Sequence, residues 1–289
     1  MTIAVAACDR PTALMRCLAA ILAGEVLPEE LIIVDQSKDE AVVDALATLP
    51  PSPISVRCLR QTRQGLSASR NCALAAASTP IVAFTDDDCV PSEGWLLTIH
   101  RVLAQDKELA AVTGQVLPLG EERPGTYAVS SRASTEPRVY RGRAVPWHVG
   151  TGGNFAAKRE WLEQIGGFDQ RLGAGSPGRA AEDADVLYRL LVAGARIKYE
   201  PESVVYHERQ TAAQRLASRF GYAYGIGAVC ALYLRSGDLY GGIMLGSYLK
   251  ALGVGLIRAV ARRDWFLTRQ RIRALQGCAG GLAYGLRVR

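Results

Sequence analysis

Three consecutive carboxylates, Asp86-Asp87-Asp88, stand one residue after the apolar run Ile81-Val82-Ala83-Phe84. A short apolar run of this kind reads as a buried strand. Like charges crowded at its end repel one another and lose hydration unless a cation or a set of donors compensates. A divalent ion is the partner best suited to them. Hard cations such as Mg²⁺ take carboxylate oxygens and keep positions open for phosphate. The chain must therefore build a sheet that presents this strand end to a ligand and not to another layer of core.

The rest of the first two thirds agrees. A strand over 4–7 leads to Pro11-Thr12, which opens a helix with Leu14, Leu18, Ile21 and Leu22 on one face. Strands follow over 31–34, 54–59, 81–85 and 110–117, with helices over 67–77, 92–105, 158–166 and 180–193 between and after them. This alternation predicts an α/β fold, a mainly parallel sheet flanked by helices. Ligands in such sheets sit at the carboxyl ends of the strands. Asp9, Asp35 and Asp86 to Asp88 all fall there, on one rim. The stretch 119–148 is irregular and rich in Gly, Pro, Arg and Ser, and its length makes it a candidate acceptor-side loop. Short strands are expected over 196–199 and 203–206, with His207 just beyond. Helices alone follow, over 211–234, 239–262 and 265–286. The expected division is a catalytic domain over 1–208 and a basic helical extension over 209–289.

Charge is divided in the same way. From Tyr206 onward there are 13 Lys and Arg against 3 Asp and Glu, a net +10 in a chain of +6, which leaves −4 for the remainder. The cations of the tail alternate with Leu, Ile, Val, Tyr and Gly. That pattern favours an anionic membrane surface and argues against nucleic acid. The segment 239–261 has the length of a membrane span but carries Lys250, Arg258 and five glycines. A charge at a bilayer centre costs about 2.5–3.5 kcal/mol, so a helix lying on the surface is expected instead. The seven cysteines are scattered without a Cys-x-x-Cys pair, and no leader pattern opens the chain. A cytoplasmic protein with reduced thiols is expected, peripheral at the inner membrane face. No Gly-x-Gly-x-x-Gly follows the first strand, which disfavours a dinucleotide dehydrogenase.

The order of motifs from about Thr2 to His207 resembles the family-2 glycosyltransferases, which have the GT-A fold. Val34-Asp35-Gln36-Ser37-Lys38-Asp39 is similar to the family's Val-Asp-Asp-Gly-Ser-x-Asp segment. Gln64-Gly65-Leu66-Ser67-Ala68-Ser69-Arg70-Asn71 is similar to its Gly-x-x-x-Ala-Arg-Asn stretch. Asp86-Asp87-Asp88 matches its Asp-x-Asp motif, and Gly152-Gly153-Asn154, Gly166-Gly167-Phe168-Asp169 and Glu182-Asp183 follow in the family's order.

The resemblance implies sugar transfer from a nucleotide-diphosphate sugar to a saccharide or lipid-linked acceptor in glycan synthesis. Transfer would proceed by a single displacement with inversion, assisted by Mg²⁺ or Mn²⁺. It assigns Asp88 and His207 to the metal, Asp86 to donor ribose or phosphate, Asp9 and Asp35 to the nucleotide, and Arg70 to the diphosphate. Gly153 and Asn154 would lie against substrate, Glu182 would meet the acceptor, and Asp183 would be the general base. Each residue also has a plainer reading. Glu182 and Asp183 suit a helix's first turn, the glycines a tight turn, Asp9 and Asp35 loop caps, and Arg70 a salt bridge to the Asp triplet. Gln36 stands where the family usually has a second carboxylate. The Gln-x-x-Arg-Trp motif of processive enzymes is absent, since Arg189 is followed by Leu190, so a single addition is implied. A sugar nucleotidyltransferase, a metal phosphohydrolase and a noncatalytic sugar-nucleotide-binding module are the alternatives.

Overall fold

A computed structural model gives the fold of residues 1–51 and 53–288; Ser52 and Arg289, the last cation of the basic tail, lie outside the described residues. The elements run β1 (Thr2–Ala7), α1 (Pro11–Leu22), β2 (Glu30–Asp35), α2 (Ala41–Ala47), β3 (Ser55–Arg60), α3 (Leu66–Ala76), β4 (Ile81–Asp86), β5 (Cys89–Pro91), α4 (Trp95–Gln105) and β6 (Leu109–Pro118). After them come β7 (Thr126–Tyr127), β8 (Arg138–Tyr140), a 3-10 turn (Pro146–His148), β9 (Phe155–Lys158), α5 (Arg159–Gln164), α6 (Glu182–Val192) and β10 (Arg196–His207). The chain ends in β11 (Gln210–Thr211), α7 (Ala212–Arg235), α8 (Tyr240–Ala261) and α9 (Trp265–Arg287).

The chain packs as two compact units. One comprises Met1–Glu121, Ala128–Phe168 and Asp183–Arg209, and the other Glu122–Tyr127, Asp169–Glu182 and the chain from Gln210. In the first, nine strands form one sheet ordered β3-β2-β1-β4-β9-β6-β10-β5, with β8 also against β10. The strands β3, β2, β1 and β4 are mutually parallel, as are β6 and β10, while β9 runs antiparallel between β4 and β6. Residues alternate faces along each strand. Ile3, Val5, Leu31 and Ile33 pack with Leu14, Leu18, Trp95, Ile99 and Leu103 on one side. Ala4, Ile32, Val34 and Phe84 pack with Val186, Leu187, Leu190 and Leu191 of α6 on the other. Each fully buried large apolar side chain contributes about 1.5–3 kcal/mol, so the sheet is held from both faces.

Three features departed from the sequence expectation. The two strands expected at 196–199 and 203–206 are one strand, β10, whose register against β6 shifts between Glu200 and Val204. Pro201 has no N–H to give the ladder, so the strand bulges there without ending. The four-residue β9 and three-residue β5 were hidden because runs so short carry no periodicity. The stretch 119–148 contains two short strands and a 3-10 turn in otherwise irregular chain.

In the second unit Thr211 and Gln214 form a capping box at the head of α7, and Asp264 accepts from Leu267 N–H at 2.8 Å to cap α9. Glycines let α7 and α9 approach closely. A Cβ at Gly277, Gly281 or Gly285 would collide with the backbone carbonyl of Phe220, Tyr224 or Ala228 respectively. Among the described residues, α8 alone is long and apolar enough to cross a membrane by length and composition.

Candidate active site

Strand pairing assembles the site from distant parts of the chain. The triplet lies where β4 ends and β5 begins. Cys89 of β5 pairs with His207 at the end of β10, and Glu208 N–H donates to the Asp88 carbonyl at 3.0 Å. His207 is thereby carried to Asp88, its Nε2 lying 3.5 Å from Asp88 Oδ1. On the other side, Phe84 pairs with Phe155, so Gly152-Gly153-Asn154 emerges beside the end of β4. Thr85 Oγ1 donates to the Gly153 carbonyl at 2.9 Å and fastens the two together.

Asp86, Asp88, Cys89 and His207 bring one donor atom each within 4.8 Å of one another. The set fits a hard divalent ion. It offers two carboxylate oxygens and an imidazole whose Nδ1 faces the Glu208 carbonyl at 2.9 Å. A carbonyl only accepts, so Nδ1 carries a proton, and in the neutral ring Nε2 presents its lone pair to the cluster. Burial, aided by Asp86 and Asp88, holds the Cys89 thiol well above its ordinary pKa, so sulfur enters as a neutral neighbour and not as a thiolate. Asp87 and Asp88 form the two-residue turn between β4 and β5, not the extended segment expected, and Asp87 turns inward. It is 1 % exposed and paired with Arg10, whose Nη1 also lies 2.5 Å from Asp88 Oδ2. Burial pushes the Asp87 carboxyl up to about 7 against the pull of Arg10, with Asp88 and Asp86 adding to the rise. Burial works against the Arg10 charge, but Asp88 and Asp87 outweigh it and raise its pKa. Sequence reasoning passed over Arg10. Its place directly after the rim residue Asp9 was the available signal.

Three hydrogen bonds connect this cluster to the acid on α6. Arg70, buried at 3 % exposure, donates through Nη2 to Asp86 Oδ1 at 2.9 Å and to the Gly152 carbonyl at 3.3 Å. Gly152 N–H donates to Asp183 Oδ2 at 2.7 Å, and Asp183 Oδ1 accepts from Ala184 N–H at 2.7 Å. Only glycine fits at the junction, because a Cβ on Gly152 would lie 2.7 Å from Arg70 Nη1 and 3.0 Å from Asp183 Cβ. At Gly153 a Cβ would stand 3.1 Å from Asp86 Oδ2. The arginine thus joins the Asp86 carboxylate to the Gly152 carbonyl, and through Gly152 it relates the strand end and the glycine turn to the helix head.

The nucleotide-side residues form a second group on the rim. Asp35 is fully buried and accepts from Ser37 N–H at 2.8 Å. Asp9, with φ +55°, accepts from Lys38 N–H at 3.1 Å and from Arg63 at 3.2 Å. The Lys38 N–H, ahead of Arg63, holds the Asp9 carboxyl below its usual range. Gln36 spans the loop before α3: its Oε1 accepts from Gln64 and Gly65 N–H at 3.0 Å each, and Gly65 sits at φ +98°. An amide both gives and takes here, since Gln36 Nε2 donates to the Gly65 carbonyl at 3.2 Å, which a carboxylate cannot do.

One expected substrate contact, Asn154, sits differently. The Asn154 side chain is 1 % exposed and takes up Trp95 Nε1, the Gln115 and Ser203 carbonyls and Ser203 Oγ. All four of its hydrogen-bonding positions are occupied inside the sheet, so it braces β9 and leaves nothing for a substrate. Glu182, the first residue of α6, is buried.

A family model described as glycosyl transferase family 2 matches residues 2–166. The pre-mycofactocin glycosyltransferase of Mycobacterium tuberculosis (strain H37Rv) is 30% identical over 226 residues, which cover 75% of this chain and 46% of that protein. The chain thus spans about half the length of the curated relatives it matches. Among solved structures, a mannosyltransferase from Pyrobaculum calidifontis in complex with GDP-Man and Mn²⁺ superposes with a TM-score of 0.61 at 19% identity, covering 96% of this chain and 86% of that one. GalNAc-T7 with UDP, GalNAc and Mn²⁺ does so at 0.54 and 18% identity, covering 72% and 43%. These likenesses show the GT-A fold.

Proposed function

Because this chain belongs to glycosyl transferase family 2, we propose that it moves a sugar from a nucleotide-diphosphate donor to an acceptor hydroxyl by a single displacement that inverts the anomeric centre. One observation carries the reading: the bonded chain Asp86–Arg70–Gly152–Asp183, which ties an acidic cluster suited to a divalent ion to a carboxylate at a helix head. The solved structures of like fold, one with GDP-Man and Mn²⁺ and one with UDP, GalNAc and Mn²⁺, support it.

Asp88 and His207, with Asp86 beside them, would hold Mg²⁺ or Mn²⁺, which supplies charge neutralisation for a departing diphosphate. Asp183 takes the proton of the acceptor hydroxyl as its oxygen approaches the anomeric carbon. The Gly152 and Ala184 N–H groups hold one carboxylate oxygen each and fix its orientation, and each oxygen keeps a further lone pair for that task. Arg70 contributes positive charge where the diphosphate leaves. Asp9 and Asp35 orient the nucleotide at the neighbouring strand ends. Gly153 lets backbone come close to the donor. Residues 1–208 form the catalytic domain and 209–289 the extension, with the protein acting from the cytoplasm on a saccharide or lipid-linked acceptor of the cell envelope. Thermal-shift screening of UDP-, GDP- and dTDP-sugars with and without Mn²⁺ tests the reading. One donor is expected to stabilise the protein by about 2.7 kcal/mol at a hundredfold excess over its Kd, and only with metal. No stabilisation by any sugar nucleotide would sink it.

The extension rests on a membrane surface in this reading. Ile243, Val254, Ile257 and Val260 of α8 are exposed, with Trp265 64% exposed at the start of α9. Lys250, Arg258, Arg262 and Arg263 flank them, each contributing about 1 kcal/mol near anionic lipid. The full chain should float with vesicles containing phosphatidylglycerol and remain behind with pure phosphatidylcholine. Equal behaviour with both removes the electrostatic part of the claim.

A further inference from the structure

The second unit brings three arginines, Arg215 and Arg219 of α7 and Arg271 of α9, close together. Their position follows from the close contacts of α7 with α9. Phe220 meets Gly277, Tyr224 meets Gly281 and Ala228 meets Gly285, a constant sequence offset of 57. A constant positive offset means that the two helices run parallel and in register. The offset sets Arg271 level with Gln214, next to Arg215, and Arg219 lies one turn further along α7. The third helix closes the group, because a Cβ on Gly255 of α8 would lie 2.7 Å from Arg271 Nε and 2.9 Å from its Cζ. The Arg271 guanidinium lies against bare α8 backbone.

These arginines are half-buried. Among the described residues no carboxylate lies within ion-pair distance of Arg219 or Arg271, and Arg271 Nε is buried without a hydrogen-bond partner. Arg219 feels the crowding. Burial first, then the charges of Arg215 and Arg271, push its pKa down to about 10. Burial pushes the neighbouring Tyr248 phenol up to about 12, so it remains a hydrogen-bond donor. Like charges brought together out of water are unfavourable unless an anion joins them. Guanidinium groups bind phosphoryl oxygens through paired N–H donors, and three of them match a multiply charged phosphate better than a single carboxylate.

We infer that Arg215, Arg219 and Arg271 form a binding site for a phosphoryl anion, a diphosphate or the phosphomonoester of a lipid headgroup, within the C-terminal helical unit. The inference does not depend on the sugar-transfer reading, since none of its residues belongs to the unit that carries the Asp cluster. Inorganic pyrophosphate is the soluble probe, titrated into the full chain in EDTA so that metal-dependent binding elsewhere is silent. Pyrophosphate should raise the unfolding temperature of the wild type. In Arg219→Gln the apparent affinity should fall about tenfold, the loss of one charge-assisted pair of hydrogen bonds, and Arg271→Gln should do the same. Arg269→Gln, an exposed arginine on the same helix, should bind as the wild type does. Without anion, Arg219→Gln should unfold at the wild-type temperature or above it, because a repelling charge has gone. A merely structural arginine would instead lower it. Vesicles with phosphatidic acid in place of phosphatidylglycerol at equal charge separate the two sources. Capture by either pyrophosphate or phosphatidic acid that Arg219→Gln weakens supports the site. Binding of neither, or binding that both variants keep in full, overturns it.

Discussion

Asp183→Asn is expected to lower the turnover number for sugar transfer by roughly 10²–10⁴, the usual contribution of a positioned general base, while the KM for donor changes little. The amide keeps the shape of the carboxylate but cannot accept the acceptor's proton. It also has one oxygen where two backbone N–H groups, of Gly152 and Ala184, now each have a carboxylate oxygen. One of those donors loses its partner, so a fall in stability of about 1–3 kcal/mol accompanies the kinetic loss. The two effects separate in single-turnover rates measured well below the unfolding temperature. Turnover at the wild-type level in Asp183→Asn would remove this residue from the chemistry and leave Glu182-Asp183 with the plainer role of a helix head.

The second large effect belongs to Asp88. Asp88→Asn should cut kcat/KM by about 10²–10³, the scale expected for deleting one electrostatic contact to a developing charge. In contrast to Asp183→Asn, it should abolish the dependence of donor affinity on Mn²⁺. The fold should survive, because Arg10 keeps its pairing with buried Asp87 and one of three crowded carboxylates has been neutralised. Metal-free thermal midpoints at or above the wild-type value are therefore expected. A variant that still binds donor more tightly when Mn²⁺ is added would show that the ion sits elsewhere.

Much of this arrangement could be read from the chain, for physical reasons that differ by residue. Asp9, Asp35 and Asp86 were legible as one rim because parallel strands all deliver their carboxyl ends to the same edge. Asp183 was legible because a glycine-rich stretch and an acidic pair announce a helix start, although that signal alone fits a capping role equally well. Arg70 makes the salt bridge to Asp86 that was the plainer of the two readings given for it. What the chain hid was the pairing itself. Nothing in the local sequence of β5 or β9 tells that three or four residues will fill the gaps between longer strands, and those pairings bring His207 and Gly152 to the triplet. Asn154 was misplaced for the same reason: its neighbours Trp95, Gln115 and Ser203 come from elements far apart in sequence.

The bond that breaks in the donor distinguishes this account from hydrolysis of the diphosphate on the same acidic cluster. With the donor chosen by the thermal screen and a panel of saccharide acceptors, ³¹P NMR of the spent nucleotide reads it directly. Cleavage at the anomeric carbon leaves a nucleoside diphosphate, formed faster when acceptor is present and not at all in EDTA, and that is the predicted spectrum. A nucleoside monophosphate beside a sugar phosphate, formed at one rate with or without acceptor, would contradict it.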